Sequence, residues 1–259
     1  MSELIVLLVY RGLHSGGNAR WVMDWGLQMS KLLINKLSGL YLGTHLQEMA
    51  GVATGIDGKQ AAQQLLVHVS HVEGDAQADP KHHGGLDRVL HHFPREHYGQ
   101  YRRWDLITQL EDAPSMGENI STVGLNETQV NIGDILQIGA VTVQVTQPRS
   151  PCFKLNLQFG HKEFALAMQQ SQLCGWFYRV LTPGIIQLND KIELVERRTD
   201  ISVAEAMALY FSPTFNASGY DRLACCEGLA QSWVNSLQRR LASQTVEDWQ
   251  MRLYGPSGK

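Results

Sequence analysis

Asp134 to Leu155, DILQIGAVTVQVTQPRSPCFKL, is the stretch on which the reading of this chain turns. Its first half alternates strongly and predicts a β-hairpin with Gly139-Ala140 near the turn. Its second half sets a thiol, Cys152, just past the end of a strand, where an ordered sheet can hold a reactive group on a loop. Pro148 and Pro151 bracket Arg149 and Ser150 and stiffen that loop, because each proline fixes its own φ and removes a backbone donor. Arg149 and Lys154 flank the thiol, and nearby cations favour the thiolate, the form that attacks electrophiles and binds metals. The plainer alternative is a buried cysteine in a rigid turn between two surface cations.

The chain has 259 residues, 44% of them hydrophobic and 18% charged, which is the composition of a globular protein able to bury a sizeable core. A net charge of −3 gives no global case for a nucleic acid polymer as partner. Four cysteines without CxxC spacing argue against a disulfide framework or a structural zinc site, and point to a reducing cytoplasm. The apolar run LIVLLVY, Leu4 to Tyr10, is far short of the roughly 18 residues a membrane span needs, so no membrane association is expected. Residues 1 to 28 read as an N-terminal extension of uncertain status, because a better patterned segment opens at Met29.

Between Lys31 and Gly43 two short strand-like runs are separated by Ser38-Gly39, and GVATGIDGKQ then suggests a loop-linked hairpin. Gln63 to Val72 sets Leu65, Val67 and Val69 against Leu66, His68 and Ser70, a half-buried strand pattern. Pro94 is placed at the first position of a helix through REHYGQYRRW. HKEFALAMQQSQ reads as a helix and DKIELVERR as a last strand. Many short strands with turn signals between them suggest a mainly β domain, a barrel or sandwich closed by helices, over residues 29–198. From 199 to 259 the texture is helical: Ser202 and Glu205 form a possible capping box, and three helical segments follow, with Cys225-Cys226 placed inside the second.

Two further segments carry chemistry-bearing residues. Lys81 to Tyr98 holds five of the chain's ten histidines around Gly84-Gly85, whose backbone can approach an anion while His83, Arg88 and His92 supply donors. His91 and His92 are adjacent on a strand, so they face opposite ways and cannot share one metal site. Gly117 to Gly124, GENISTVG, presents Asn119, Ser121 and Thr122 in a Gly-flanked turn, suited to capping or to recognition of a heterocycle or phosphate.

Taken together, HGG-x-DR, GEN-x-S, NxGD at Asn131 to Asp134 and QPRSPCFKL resemble the MOSC domain, the β-barrel related to the C-terminal domain of molybdenum cofactor sulfurases, and specifically its YiiM branch. The likeness runs from Met29 to about Leu253 and includes HFPREHY and the C-terminal three-helix extension. The extra N-terminus and the doubled His82 before His83 depart from it.

The resemblance implies that Cys152 is the protein ligand of molybdenum. Arg149, Lys154, Arg88 and Gly84-Gly85 would bind the phosphate of molybdopterin, and His83, Asn119 and Ser121 would line the pterin or metal pocket. It also implies reduction of N-hydroxylated compounds such as 6-hydroxylaminopurine, with His83 or His92 delivering protons. No GxGxxG fingerprint and no four-Cys iron–sulfur pattern is present, so electrons would come from a separate reductase, docking near the helical tail. A carrier that hands on the cofactor or its sulfur, and a nucleotide-binding barrel without metal, are the alternatives. A homodimer is one open alternative for the oligomeric state, and tungsten is the alternative to molybdenum as the metal.

Overall fold

The computed structural model describes residues 30–45, 47–49, 51–56, 58–76 and 84–256. The expected N-terminal extension therefore lies outside the described residues. The strands are β1 (Lys31–Ile34), β2 (Gly39–Leu42), β3 (Gln47–Met49), β4 (Val52–Thr54), β5 (Gln60–Ala61), β6 (Gln64–Val67), β7 (Leu90–Pro94), β8 (Ile120–Thr122), β9 (Ile135–Ile138), β10 (Val141–Pro148), β11 (Trp176–Thr182), β12 (Gly184–Gln187) and β13 (Ile192–Glu196). The helices are α1 (Glu96–Arg103), α2 (Lys154–Phe159), α3 (Phe164–Ser171), α4 (Val203–Tyr210), α5 (Ala217–Ala224), α6 (Gln231–Ser243) and α7 (Gln250–Tyr254). None of these helices is long and apolar enough to cross a membrane.

The core is sheet-dominated, with a helical C-terminal unit, as the sequence predicts. Nine strands run in the order β1-β13-β9-β10-β11-β7-β8-β2-β5, and β12 pairs with β6 in a separate ribbon. Every ladder in the large sheet is antiparallel except β7 with β8, whose crossover carries α1. The predicted hairpin is β9–β10: Ile138 pairs with Val141 across Gly139-Ala140, and Gly139 has φ 56. A glycine with positive φ at the first position of a two-residue turn matches the right-handed twist of the flanking strands.

β10, the longest strand, lies inside the sheet between β9 and β11 and is buried on both faces. Val141, Val143 and Val145 enter the apolar core, while Gln144 and Thr146 on the other face are covered by the helical unit. Their polar atoms are satisfied locally: Gln144 Oε1 accepts from Arg179 at 3.2 Å, Thr146 Oγ1 donates to the Asp87 carbonyl at 2.6 Å, and the Thr146 carbonyl accepts from Ala230 N at 3.0 Å. A strand that reads as half-exposed is therefore roofed by helices, at no cost in unpaired groups.

The helical unit begins as its capping signal predicts. Ser202 accepts from Glu205 N at 3.0 Å, but the Glu205 carboxylate reaches Arg222 on α5 at 2.6 Å. Trp233 and Leu237 of α6 pack into the shared core. Arg240 is buried against the Tyr210 ring, 4.1 Å from its centroid, and donates to the Tyr210 carbonyl at 2.7 Å and to Glu247 at 2.7 and 2.6 Å.

Several local expectations are corrected. Pro94 ends β7 and the helix starts at Glu96, since residue 95 already has helical φ and ψ. β6 stops at Val67, because the His68 amide turns back to the His71 carbonyl at 2.8 Å, leaving Val69 about half exposed. α5 stops at Ala224, so Cys225 and Cys226 follow the helix end. GENISTVG is no turn: Ile120–Thr122 is strand β8, between β7 and β2, with all three residues buried.

Gly175 shows how tightly the sheet is closed beside Cys152. Its φ is 69, and an added Cβ would lie 2.3 Å from the His92 carbonyl. Gly175→Ala is expected to cost about 3 kcal/mol, from left-handed strain plus displacement of β7, read as a lowered urea midpoint at unchanged m-value.

Candidate functional site

The loop that carries Cys152 leaves the end of β10 beside the start of β11. Pro148 pairs with Trp176, and Arg149 N then donates to the Gly175 carbonyl at 3.0 Å. Gly175 is held in turn from below, its amide donating to the buried Glu127 at 2.7 Å, and Glu127 is paired with His97 at 2.9 Å. Cys152 is half-buried, its carbonyl accepts from Leu155 N at 3.0 Å, and α2 begins at Lys154. The thiol is thus presented between a rigid sheet and a short helix.

Arg149 is 8% exposed, and the only hydrogen bond of its guanidinium to a described residue goes to the Met116 carbonyl at 2.6 Å. It makes no ion pair among the described residues, although an arginine that deep is ordinarily matched by a carboxylate. His91 adds a second unsatisfied group. It is buried, its Nε2 has no hydrogen bond although the Gly117 backbone is near the ring, and its pKa is driven well down, by burial first and then by the Arg149 and Lys59 cations. Ser121 Oγ is a third: it is fully buried without a hydrogen bond, facing the Tyr41 hydroxyl outside bonding geometry. Buried polar atoms are almost always paired, so an unpaired His91 beside a cation that makes no ion pair among the described residues makes this a candidate place for an anionic, hydrogen-bonding ligand.

Around these groups the polar network is closed. Lys59 pairs with Asp75 at 2.9 Å, and Asn119 Nδ2 donates to the same carboxylate at 2.8 Å. Burial lowers the Lys59 pKa against the pull of Asp75. Glu118, fully buried, accepts from Tyr98 at 2.8 Å and from Met116 N at 3.1 Å, and burial lifts its pKa to about 7. In the folded protein Glu118 therefore keeps a proton that the unfolded chain releases near pH 4.5. The native state binds more protons between those values, so this group's contribution to stability falls as pH rises from about 4.5 to 7. Urea midpoints of cofactor-free protein are expected to fall more steeply from pH 5 to pH 8 in wild type than in Glu118→Gln, and equal slopes would remove Glu118 as the cause.

The structure separates the sequence candidates. Arg149 stands near the unpaired His91, and Ser121, opposite Phe93, lies on the same face of the β7–β8 pair as His91. Gly85 has φ 101, and a Cβ built on it would meet nothing within 4 Å among the described residues, with Gly84 before it. His83 lies outside the described residues. Lys154 opens α2.

His92 is corrected: both its nitrogens are engaged, with Tyr178 at 2.9 Å and Thr122 at 2.7 Å, it stacks on Trp176, and burial drops its pKa to about 3. It carries no proton to deliver near neutrality. Asn119 is likewise spent on Asp75, the Tyr41 carbonyl and the His91 amide. Arg88 donates to Gln147 and Ser232, each at 3.2 Å, and its neighbour Asp87 grips Arg179 and the Gln231 amide, so the DR pair fastens α6 to the sheet. The NxGD turn is structural too, Asp134 holding Asn131 N and Arg197.

Sequence reasoning missed His91, Lys59 and Glu118, although one signal was available. Strand alternation that sends His92 into the core sends His91 to the opposite face, where β8 and the Arg149 loop meet.

The thiol, the unmatched guanidinium and the orphaned donors suit a cofactor that offers a soft metal and a phosphate. Among the described residues no group of three or more His, Cys, Asp or Glu could hold a metal ion by itself.

Residues 79–193 match the MOSC domain, and residues 201–244 match the YiiM-like, 3-alpha helix domain. Protein YiiM of Escherichia coli is 40% identical over 217 residues, 83% of this chain and 97% of that protein. The crystal structure of YiiM from Escherichia coli superposes with a TM-score of 0.73 at 35% identity, over 88% of this chain and all of that one. A protein named "Reductase" from Gibberella moniliformis is 37% identical over 148 residues, 56% of this chain and 26% of its own length. The chain belongs to the YiiM family, a MOSC domain followed by the YiiM-like three-helix domain.

Proposed function

We propose that this protein is a molybdenum cofactor-dependent reductase of N-hydroxylated compounds, 6-hydroxylaminopurine among them, acting in the cytoplasm with electrons from a separate reductase. The observation that carries the reading is Arg149, a nearly buried guanidinium that makes no ion pair among the described residues, three residues from a half-buried thiol. The fungal relative named a reductase supports the reaction class.

Cys152 would hold the metal as a thiolate. Arg149, His91 Nε2 and Ser121 Oγ, with the Gly84-Gly85 turn and Lys154, would hold the phosphate and pterin. When bound, the cofactor supplies the two-electron couple for N–O cleavage. The reaction consumes two electrons and two protons per hydroxylamine and yields the amine and water. His91, neutral and unprotonated by burial, can orient a ligand by hydrogen bonding but holds no ionic proton to give. The residues around it are closed to bulk water by β7, β8 and the Arg149 loop, which strengthens each polar contact made there. His83 is the proton donor retained in this reading.

The test is elemental and pterin analysis of protein from a host that makes the cofactor, followed by turnover of 6-hydroxylaminopurine with a chemical reductant. Molybdenum, pterin and amine formation are expected together. Molybdenum and pterin without turnover would make the protein a carrier, and absence of both under loading conditions would end the cofactor reading.

A further inference from the structure

The last helix, α7, lies beyond both family matches and folds back onto the thiol loop. Within it one residue grips the peptide on either side of Cys152. Arg252 Nη1 donates to the Pro151 carbonyl at 2.5 Å, and the Arg252 carbonyl accepts from Phe153 N at 2.7 Å. The other arm of the guanidinium, Nη2, donates to Gln169 of α3 at 2.5 Å.

The contact is continued by neighbours. Asn156 Nδ2 donates to the Leu253 carbonyl at 2.8 Å, Leu253 is buried, and a Cβ on Gly255 would lie 2.9 Å from the Phe153 ring. On its far side the guanidinium sits 5.4 Å from the Phe211 ring centroid and 5.9 Å from that of Trp249, which joins it to the end of α4.

We propose that Arg252 is the positioning residue of Cys152, and that α7 completes the thiol site by clamping Pro151 and Phe153 so that the side chain between them has one direction. An arginine suits this because its rigid fork reaches two acceptors on different elements at once, which a lysine point charge cannot do. The consequence is that the helical unit is coupled to the reactive loop: Phe211 and Trp249 hold the guanidinium, and the guanidinium holds the loop. This assignment rests on the reading of Cys152 as a metal ligand for its catalytic meaning, and on contacts within the chain for the clamp itself.

The experiment compares wild type, Arg252→Met and Arg252→Lys as full-length chains. In cofactor-free protein, hydrogen exchange of a peptide spanning residues 149–156 is expected to quicken at least tenfold in Arg252→Met, with peptides from β9–β10 and α4–α6 unchanged. Arg252→Lys, retaining charge and one donor, is expected to fall between the two. In molybdenum-loaded protein, kcat per bound metal is expected to drop at least tenfold in Arg252→Met with KM for 6-hydroxylaminopurine within twofold, a split that lost folding would not produce once rates are normalised to metal.

Unchanged exchange in 149–156 in both variants overturns the clamp. Quickened exchange with unchanged kcat per metal overturns the positioning role. If wild type carries no metal, the functional reading fails alone, and the exchange result still decides the clamp.

Discussion

Cys152→Ser is expected to lower reduction of 6-hydroxylaminopurine by more than about 100-fold while the melting temperature shifts by no more than about 2 °C. The size follows from what loss of mere outer-shell partners does at metal sites, about 10- to 100-fold, which removal of the ligand itself should exceed. A serine hydroxyl stays protonated at neutral pH and is a hard ligand, so it cannot replace a soft thiolate. The small effect on stability follows from the position: Cys152 is only half-buried, and its backbone keeps its bonds with Leu155 N and the flanking contacts to Arg252. Metal content by elemental analysis, activity and a thermal scan on the same preparations check the three parts. A serine variant that turns over at the wild-type rate would return the loop to a structural turn.

Arg149→Met is expected to separate stability from function. In the cofactor-free protein this guanidinium makes one hydrogen bond and has no counter-ion among the described residues, so its burial opposes folding. Methionine of similar length leaves the Met116 carbonyl unpaired, at about 1 kcal/mol, and removes the desolvation penalty of the charge. The net change in cofactor-free stability is therefore expected to lie within about 2 kcal/mol of zero. Affinity for the phosphate-bearing pterin is expected to weaken by about 2–5 kcal/mol, at least 30-fold, the usual loss when one partner of a buried charge pair is truncated. Pterin retained after gel filtration, set beside a urea melt of the cofactor-free protein, reads both. A large loss of stability with pterin retained would show Arg149 to be a structural cation.

The hairpin, the position of Cys152 at its exit, the Ser202 cap and the helical character of the tail were legible in the sequence because each is decided locally. Strand alternation, a glycine at a tight turn, two prolines around a thiol and a capping serine act over a few residues. The motifs were legible as a family signature, but their roles were not. HGG-x-DR and NxGD each look like ligand chemistry, yet Asp87, Arg88 and Asp134 spend their polar atoms fastening α6 and the β9 turn. A carboxylate is the same letter whether it meets a cation from its own fold or from a ligand.

By itself the sequence determined the period of each element and the chemistry available on each face. It placed His91 and His92 on opposite sides of one strand, but which side is apolar core depends on what the sheet meets. Packing decided that: Tyr178, Thr122 and Trp176 close over His92, while Arg149 arrives from 58 residues downstream to stand near His91, held by the Met116 carbonyl and without an ion pair among the described residues. The same holds for β10, whose polar face is buried because α4 and the segment leading into α6 lie on it, and for α7. That helix is five residues long and too short to be stable in isolation, and it exists through its contacts with the Pro151 and Phe153 backbone. Long-range pairing supplies the energy there, and no local pattern encodes it.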